Sequence, residues 1–180
     1  LGSFSGLTGP KSDESIEDIL KPLIESAKDL ATKLGKEQPK VEITGTGSHL
    51  NLETAAVLGE ALMHCLQNSV DHGLPQTGGV ISIHLTENSL ELYDNGKGLN
   101  LAALRKKSNL PNDSSDHEIA ESIFSSGVST TEAVTEISGR GVGMDAVRAA
   151  LEDIDGSIEV EFTAARQGDC RPMKLKISWF

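Results

Sequence analysis

The chain has 180 residues, of which 37% are hydrophobic and 24% are charged, and its formal net charge is -11. This composition is typical of a single soluble globular domain, and the negative charge disfavours nucleic acid and anionic membranes as main partners. No apolar run approaches the roughly 20 residues of a membrane-spanning helix, so we expect a cytoplasmic protein without direct membrane insertion.

The predicted elements alternate helices with paired strands. Residues 1–14 are expected to form a flexible lead-in, so that the folded domain spans 15–180. Hydrophobic periodicity predicts, in chain order, helix 15–34, strand 41–43, helix 51–71, strands 80–85 and 90–93, a mostly irregular stretch 96–143 with short helical patterns near 101–107 and 118–124, helix 144–154, and strands 157–163 and 173–179. Ser12 or Asp13 is the expected N-cap of the first helix. Hairpins between helices predict an α/β fold with a mixed, mostly antiparallel sheet and helices on one face.

The longest predicted helix carries four polar residues at intervals of four: Glu60, His64, Asn68 and His72. This spacing keeps them on one slowly drifting face, which by itself is typical of a solvated helix surface. Asn68 is the more informative residue, because Asn is a middling helix former and its amide oxygen is a good ligand for a hard cation. His64 lies one turn earlier, where an imidazole can accept a proton or orient a phosphate.

Two glycine-rich motifs follow. Asp94 ends a predicted strand and precedes Asn95-Gly96-Lys97-Gly98, so it is placed to accept a hydrogen bond from an exocyclic amine while the glycines allow close approach. An ordinary Asn-Gly turn has the same pattern. Residues 138–144, Ser-Gly-Arg-Gly-Val-Gly-Met, open a helix, and their amides suit a polyphosphate. A flexible loop is the alternative there, whereas a dinucleotide-binding motif is disfavoured because the third glycine is one position too close.

In order and spacing, these three motifs resemble the N, G1 and G2 boxes of the GHKL superfamily, which comprises histidine kinases, type II topoisomerases, heat-shock ATPases and mismatch-repair ATPases. Within it, residues 30–37, 64–73 and 123–145 are similar to the CheA family of chemotaxis histidine kinases. The resemblance extends over about residues 16–163. The sequence departs from the family pattern in two places. In the last hairpin, Gly168–Pro172 replaces the Gly-Thr pair of a third glycine box, and the lid segment 109–116 is short and polar.

The resemblance implies a two-layer α/β sandwich of the GHKL (Bergerat) type, with an ATP lid over about residues 100–138 and with ATP and Mg²⁺ as cofactors. It implies that His64 is the catalytic residue and that Asn68 is the metal ligand. The implied nucleotide-binding residues are Asn68, His72, Asp94, Gly96, Gly98, Ser138, Gly139, Arg140, Gly141, Val142, Gly143 and Met144. Among them, Asp94 would accept from the adenine amine, and the glycines after residue 138 would carry phosphate amides. Arg105, Lys106 and Lys107 either reach phosphates or form a solvated run.

The implied function is that of the ATP-binding catalytic domain of a CheA-like sensor histidine kinase, which transfers the γ-phosphoryl group of Mg-ATP to a histidine in two-component signalling. His49, His84 and His117 lie in segments that do not resemble a phosphoacceptor helix. The acceptor is therefore expected on another domain or chain, with a response regulator downstream and any dimerisation through domains outside this chain. One alternative is a catalytically inactive, nucleotide-sensing module with the same fold. Another, a GHKL ATPase that acts on DNA, is disfavoured by the net charge.

Overall fold

A computed structural model describes residues 14–128 and 143–180 of the chain. The elements in chain order are β1 (Glu14–Ser15), α1 (Ile16–Lys33), β2 (Lys40–Gly45), β3 (His49–Leu50), α2 (Leu52–Asn68), a π-helical turn (Ser69–Gly73), β4 (Val80–Leu85), β5 (Ser89–Asp94), β6 (Leu99–Asn100), α3 (Leu101–Ser108), α4 (Asp116–Glu121), a 3₁₀ turn (Ser122–Phe124), α5 (Met144–Glu152), β7 (Ser157–Phe162), β8 (Cys170–Arg171) and β9 (Met173–Ser178). Each helix and strand predicted from periodicity corresponds to one of these elements.

Five strands form the main sheet in the order β2-β4-β5-β9-β7. β2 runs parallel to β4, and the other three neighbouring pairs are antiparallel. Alternate residues such as Ile81 and Ile83 are buried, whereas on the opposite face Lys174 bridges Glu91 at 2.7 Å and Glu161 at 3.0 Å. An apolar face and a charged face are what a sheet with helices on only one side requires. The predicted mixed, mostly antiparallel sheet is therefore confirmed.

The first helix begins later than its predicted caps. Ser15 has an extended backbone (φ −76°, ψ 145°) and its hydroxyl accepts a hydrogen bond from the Asp18 amide, which makes Ser15 the N-cap. The expected cap at Ser12 or Asp13 is wrong, because Ser15 pairs with His49 in a short antiparallel ladder and so cannot be helical. Glu14, the last residue of the expected lead-in, belongs to the same ladder.

The second helix changes its geometry near its end. α2 is capped by the Asn51 side chain, continues to Asn68, and then widens into the π-helical turn Ser69–Gly73. The Leu74 amide donates to the Ser69 carbonyl at 2.8 Å, which is an i to i−5 bond. π turns of this kind often occur at functional sites, and this one lies directly after Asn68.

Short strands tie the second half of the chain to the sheet. β6 pairs with β8, and the Arg171 guanidinium donates to Asp116 at 3.0 Å while it lies 4.1 Å from the centroid of the Phe162 ring. α4 begins with a capping box formed by Ser115 and Glu118. Among the described residues, no helix has the length and apolar character needed to cross a membrane.

Candidate functional site

An open cleft of about 1600 Å³ lies between the helices and the β5–β6 segment. It exceeds the roughly 300–1,000 Å³ of a usual small-molecule pocket, because it continues along the exposed sides of α1 and α2. Seven of the predicted site residues line it: His64, Asn68, His72, Asp94, Gly98, Gly143 and Met144. The fold thus brings together residues from three separate sequence motifs. Ser138, Gly139, Arg140, Gly141 and Val142 lie outside the described residues.

Asp94 is the most constrained polar group in the cleft. It is the last residue of β5 and is only partly exposed. Burial raises the pKa of its carboxyl group above the usual value, against the opposing effect of hydrogen bonds from the Gly96 amide and the Ser69 hydroxyl. The Gly96 amide donates to Asp94 Oδ1 at 3.0 Å. A carboxylate held this way is a fixed acceptor for a donor that enters the cleft.

Two glycines allow the backbone to pack closely around this carboxylate. A Cβ atom at position 73 would lie 2.6 Å from Asp94 Oδ2, and one at position 96 would collide with the Gly73 carbonyl oxygen. The π-helical turn and the segment after β5 therefore approach each other backbone to backbone, which only glycine permits. Gly96 does not itself line the cleft, and it contributes through the hydrogen bond from its amide to Asp94.

Gly98 has a different constraint. Its φ is +77°, and a Cβ atom there would collide with the Arg171 carbonyl oxygen of β8. The segment that replaces the third glycine box thus packs directly against the first glycine-rich motif, residues 94–98.

We expect Gly98→Ala to lower the free energy of unfolding by about 2–4 kcal/mol, since a left-handed backbone costs about 1 kcal/mol and overpacking adds about 1–3 kcal/mol. Gly168→Ala is the matched control, because Gly168 also has a positive φ (+61°) but no atom within 4 Å of its Cβ position. Urea unfolding of both variants measures the difference. Equal destabilisation would show that the contact with Arg171 has no energetic role.

Asn68 and His64 lie on the helical side of the cleft. The Asn68 side chain is exposed, and its amide nitrogen donates to the Met144 sulfur at 3.3 Å. This contact joins the end of α2 to the first residue of α5. Its amide oxygen remains a suitable ligand for a hard cation. His64 is half-buried in the cleft wall one turn earlier, so an imidazole and a neutral oxygen ligand face the same space.

Two lysines, Lys97 and Lys107, also line the cleft. His72 lies on the π-helical turn, 3.4 Å from the Asp71 carboxylate. Arg105 is not available for the phosphate contact considered above. Its guanidinium instead donates to the carbonyls of Asn112 at 3.0 Å and Ser114 at 2.9 Å. Within the basic run 105–107 at the start of the predicted lid, Arg105 therefore stabilises the loop between α3 and α4.

The start of α5 forms the third side of the cleft. Gly143 is its N-cap residue and Met144 its first helical residue. The Asp145 carboxylate accepts a hydrogen bond from Ser126 at 2.8 Å, and this bond, with the main-chain amide of Ala146, lowers the pKa of Asp145. The helix N-terminus thus already holds one anionic group, and Gly143, Met144 and Asp145 line the cleft beside Asn68.

Sequence patterns did not identify the residues that support this arrangement. Ser69 is buried within a helix and lowers the pKa of Asp94, and Arg171 stacks on Phe162 from a two-residue strand. Arg148 lies 3.6 Å from the Phe124 ring centroid and bonds to Glu121 at 2.9 Å. Each contact joins elements distant in the chain. The only available signal was Ser69 itself, a polar residue on the apolar side of a helix.

Comparisons with known proteins agree with this geometry. The family model described as histidine kinase-, DNA gyrase B-, and HSP90-like ATPase matches residues 53–177. The chemotaxis protein CheA of Klebsiella aerogenes is 36% identical over 174 residues, which cover 83% of this chain and 26% of that protein. The sensor histidine kinase CheAY of Helicobacter pylori is 32% identical, with 83% and 21% covered. The chain thus spans about a quarter of the length of these curated relatives.

Solved structures show the same fold at low sequence identity. The mycobacterial sensor histidine kinase MprB matches with a TM-score of 0.57 at 12% identity, over 93% of this chain and 97% of that one. The blue-light activated histidine kinase EL346 of Erythrobacter litoralis matches with a TM-score of 0.53 at 14% identity, over 94% and 46%. At these identities the likeness supports the architecture alone, which is the predicted two-layer α/β sandwich.

Proposed function

Because the chain belongs to the family of histidine kinase-, DNA gyrase B-, and HSP90-like ATPases, we propose that it is the catalytic domain of a CheA-like histidine kinase. It binds Mg-ATP and transfers the γ-phosphoryl group to a histidine on another domain or chain. A response regulator then receives the phosphoryl group, in the cytoplasm. Similarity to CheA proteins over most of the chain supports the kinase class.

The observation that most directly supports nucleotide binding is the environment of Asp94. Its half-buried carboxylate accepts a hydrogen bond from the Gly96 amide, and it packs so closely against Gly73 that a Cβ atom there would lie 2.6 Å from Asp94 Oδ2. A flat heterocycle with an exocyclic amine suits this wall of the cleft, because the amine can donate to a carboxylate that is held in place. We therefore assign adenine recognition to Asp94, with Gly98 beside it.

The residues present fit a magnesium ion bound together with its nucleotide. Mg²⁺ usually takes one or two protein oxygens and completes its shell with phosphates and water. Asn68 supplies such an oxygen, and no group of three or more His, Cys, Asp or Glu side chains that suits a metal occurs among the described residues. The metal would neutralise charge on the β- and γ-phosphates. The amides from Gly139 to Gly143 complete the proposed phosphate site.

His64 and the cleft walls supply the rest of the chemistry. In phosphoryl transfer the protein contributes mainly positioning and charge stabilisation. His64 lines the cleft one turn before Asn68, and we propose that it orients the γ-phosphoryl group or the incoming imidazole. His84 and His117 are exposed on β4 and α4, in settings unlike an acceptor site, so the acceptor histidine belongs elsewhere.

We expect the 180-residue chain to bind Mg-ADP and Mg-ATP with a dissociation constant in the micromolar-to-millimolar range usual for nucleotide substrates. Isothermal calorimetry tests this, and the absence of heat at nucleotide concentrations up to several millimolar would refute the proposal.

Incubation with labelled ATP and a candidate acceptor domain then separates a kinase from a nucleotide-sensing module. Binding without transfer to any acceptor would favour the sensing module.

A further inference from the structure

Lys36 makes an unusual set of contacts for a lysine on a helix terminus. Its ammonium group donates to three main-chain carbonyl oxygens, those of Val70 at 2.7 Å, Asp71 at 2.8 Å and Leu74 at 2.9 Å. These carbonyls belong to the π-helical turn and the residue after it. Carbonyls at the end of a helix carry partial negative charge and lack helical partners. One ammonium therefore satisfies three carbonyls at the end of this helical segment.

The end of α1 determines where this lysine lies. The Lys36 amide donates to the Ala31 carbonyl at 2.8 Å, and the Gly35 amide donates to Thr32 at 3.0 Å. With Gly35 at φ +69°, this is a Schellman motif. It turns the chain back so that Lys36 extends toward the end of α2, the helix packed beside α1. The anchor is rigid, because its position depends on main-chain bonds rather than on a flexible loop.

What Lys36 holds in place is one side of the proposed adenine site. The segment from Asn68 to Leu74, whose carbonyls it binds, contains Ser69, whose hydroxyl lowers the pKa of Asp94, and Gly73, which abuts the same carboxylate. An α-helical turn would place these two residues in a different register, since a π turn contains one additional residue. The position of the turn relative to Asp94 is thus coupled to the ammonium at its end.

We propose that Lys36 is a positioning residue for nucleotide binding: it clamps the π-helical turn so that Ser69 and Gly73 keep their register around Asp94. This rests on the proposed function, because Asp94 is the group through which it acts. Lys36 itself does not touch the nucleotide. Its removal changes the shape of the site rather than its chemistry.

Lys36→Met tests this, because Met retains an apolar stem of similar length and lacks the charge. We expect Mg-ADP affinity per folded molecule to fall at least about tenfold, since hydrogen bonds to a charged group are among the stronger ones. Calorimetry gives the affinity, and circular dichroism of the same samples gives the folded fraction. Lys36→Arg keeps the charge but cannot match three converging carbonyls as one ammonium does, so it should restore the affinity in part.

A second measurement does not depend on nucleotide. In Lys36→Met, the amide NMR signals of Gly73 and Gly96 should shift, while that of Gly156, on the opposite end of the sheet, stays in place. Lys28→Met is the matched control, because Lys28 is also on α1 and its ammonium group bonds to the exposed Glu25 carboxylate at 2.8 Å, away from the π-helical turn. Affinity within twofold of wild type, or unchanged Gly73 and Gly96 signals, would overturn the inference. Absence of Mg-ADP binding by the wild-type chain would instead refute the proposed function.

Discussion

Asp94→Asn is expected to weaken Mg-ADP binding by about 10- to 150-fold, because a hydrogen bond to a charged acceptor contributes about 1.5–3 kcal/mol. The substitution keeps one side-chain oxygen for the Gly96 amide. It also keeps the size of the side chain, so Gly73 and Gly96 still fit around it. Calorimetry with Mg-ADP measures the loss. Unchanged affinity in a folded variant would make Asp94 an ordinary turn residue.

The same substitution should leave the nucleotide-free protein equally stable or more stable. Burial raises the pKa of Asp94, so the folded state holds its proton more tightly than the unfolded state does. Ionisation of Asp94 therefore destabilises the fold above the raised pKa, and this penalty disappears as pH falls below the unfolded value. Asn carries no such penalty, so any gain in the free energy of unfolding should be present at neutral pH and shrink toward acidic pH.

Asp18→Asn is expected to change the free energy of unfolding in the opposite direction from Asp94→Asn. The pKa of Asp18 is lowered, chiefly by the hydrogen bond from Lys21 and then by that from Ser15. Its ionised form therefore favours the folded state, and neutralisation should reduce stability at neutral pH without changing Mg-ADP affinity. Urea unfolding of both variants at neutral pH and at about pH 4 tests the pair. A stability loss in Asp94→Asn as large as that in Asp18→Asn would contradict the burial argument.

Periodicity was sufficient for the long elements because their burial is regular. α1 buries residues at intervals of four, such as Ile16 and Leu20, and β4 buries alternate residues. Two-residue strands such as β6 and β8 contain too few residues to show a period. The parallel pairing of β2 with β4 has no local signature either, since it depends on how α2 crosses between them. These features arise from tertiary packing.

The candidate site divides in the same way. Residues with a local motif, such as Asn68 and Asp94, were predicted, and the fold places them in one cleft. Residues that act through contacts across the fold were not. Lys36 is typical, because nothing in its neighbourhood distinguishes it from a solvated lysine until α1 packs beside α2. The π-helical turn could not be predicted either, because residues 69–71 simply continue the pattern of the predicted helix 51–71 and carry no signal for a wider turn.

Asn68→Ala is expected to lower Mg²⁺-dependent nucleotide binding and phosphotransfer together. Its amide oxygen is the proposed metal ligand, and its amide nitrogen contacts the Met144 sulfur. Loss of the metal contact weakens the bound phosphates and their alignment at once. Calorimetry with and without Mg²⁺, beside phosphotransfer assays, measures both effects. A variant with normal Mg²⁺ dependence would remove Asn68 from the metal site.

His64→Ala should behave differently, because His64 has no task in holding adenine or metal. We expect phosphotransfer to slow by roughly 10²–10⁴-fold, as for a lost acid–base group, while Mg-ADP affinity changes little. The decisive measurement is single-turnover phosphorylation of an acceptor domain at saturating ATP. His84→Ala is the control, since His84 lies exposed on β4 beside Thr44, 3.0 Å away. A normal transfer rate in His64→Ala, or a parallel loss of affinity and rate, would assign positioning to Asn68, Mg²⁺ and the glycine-rich helix start alone.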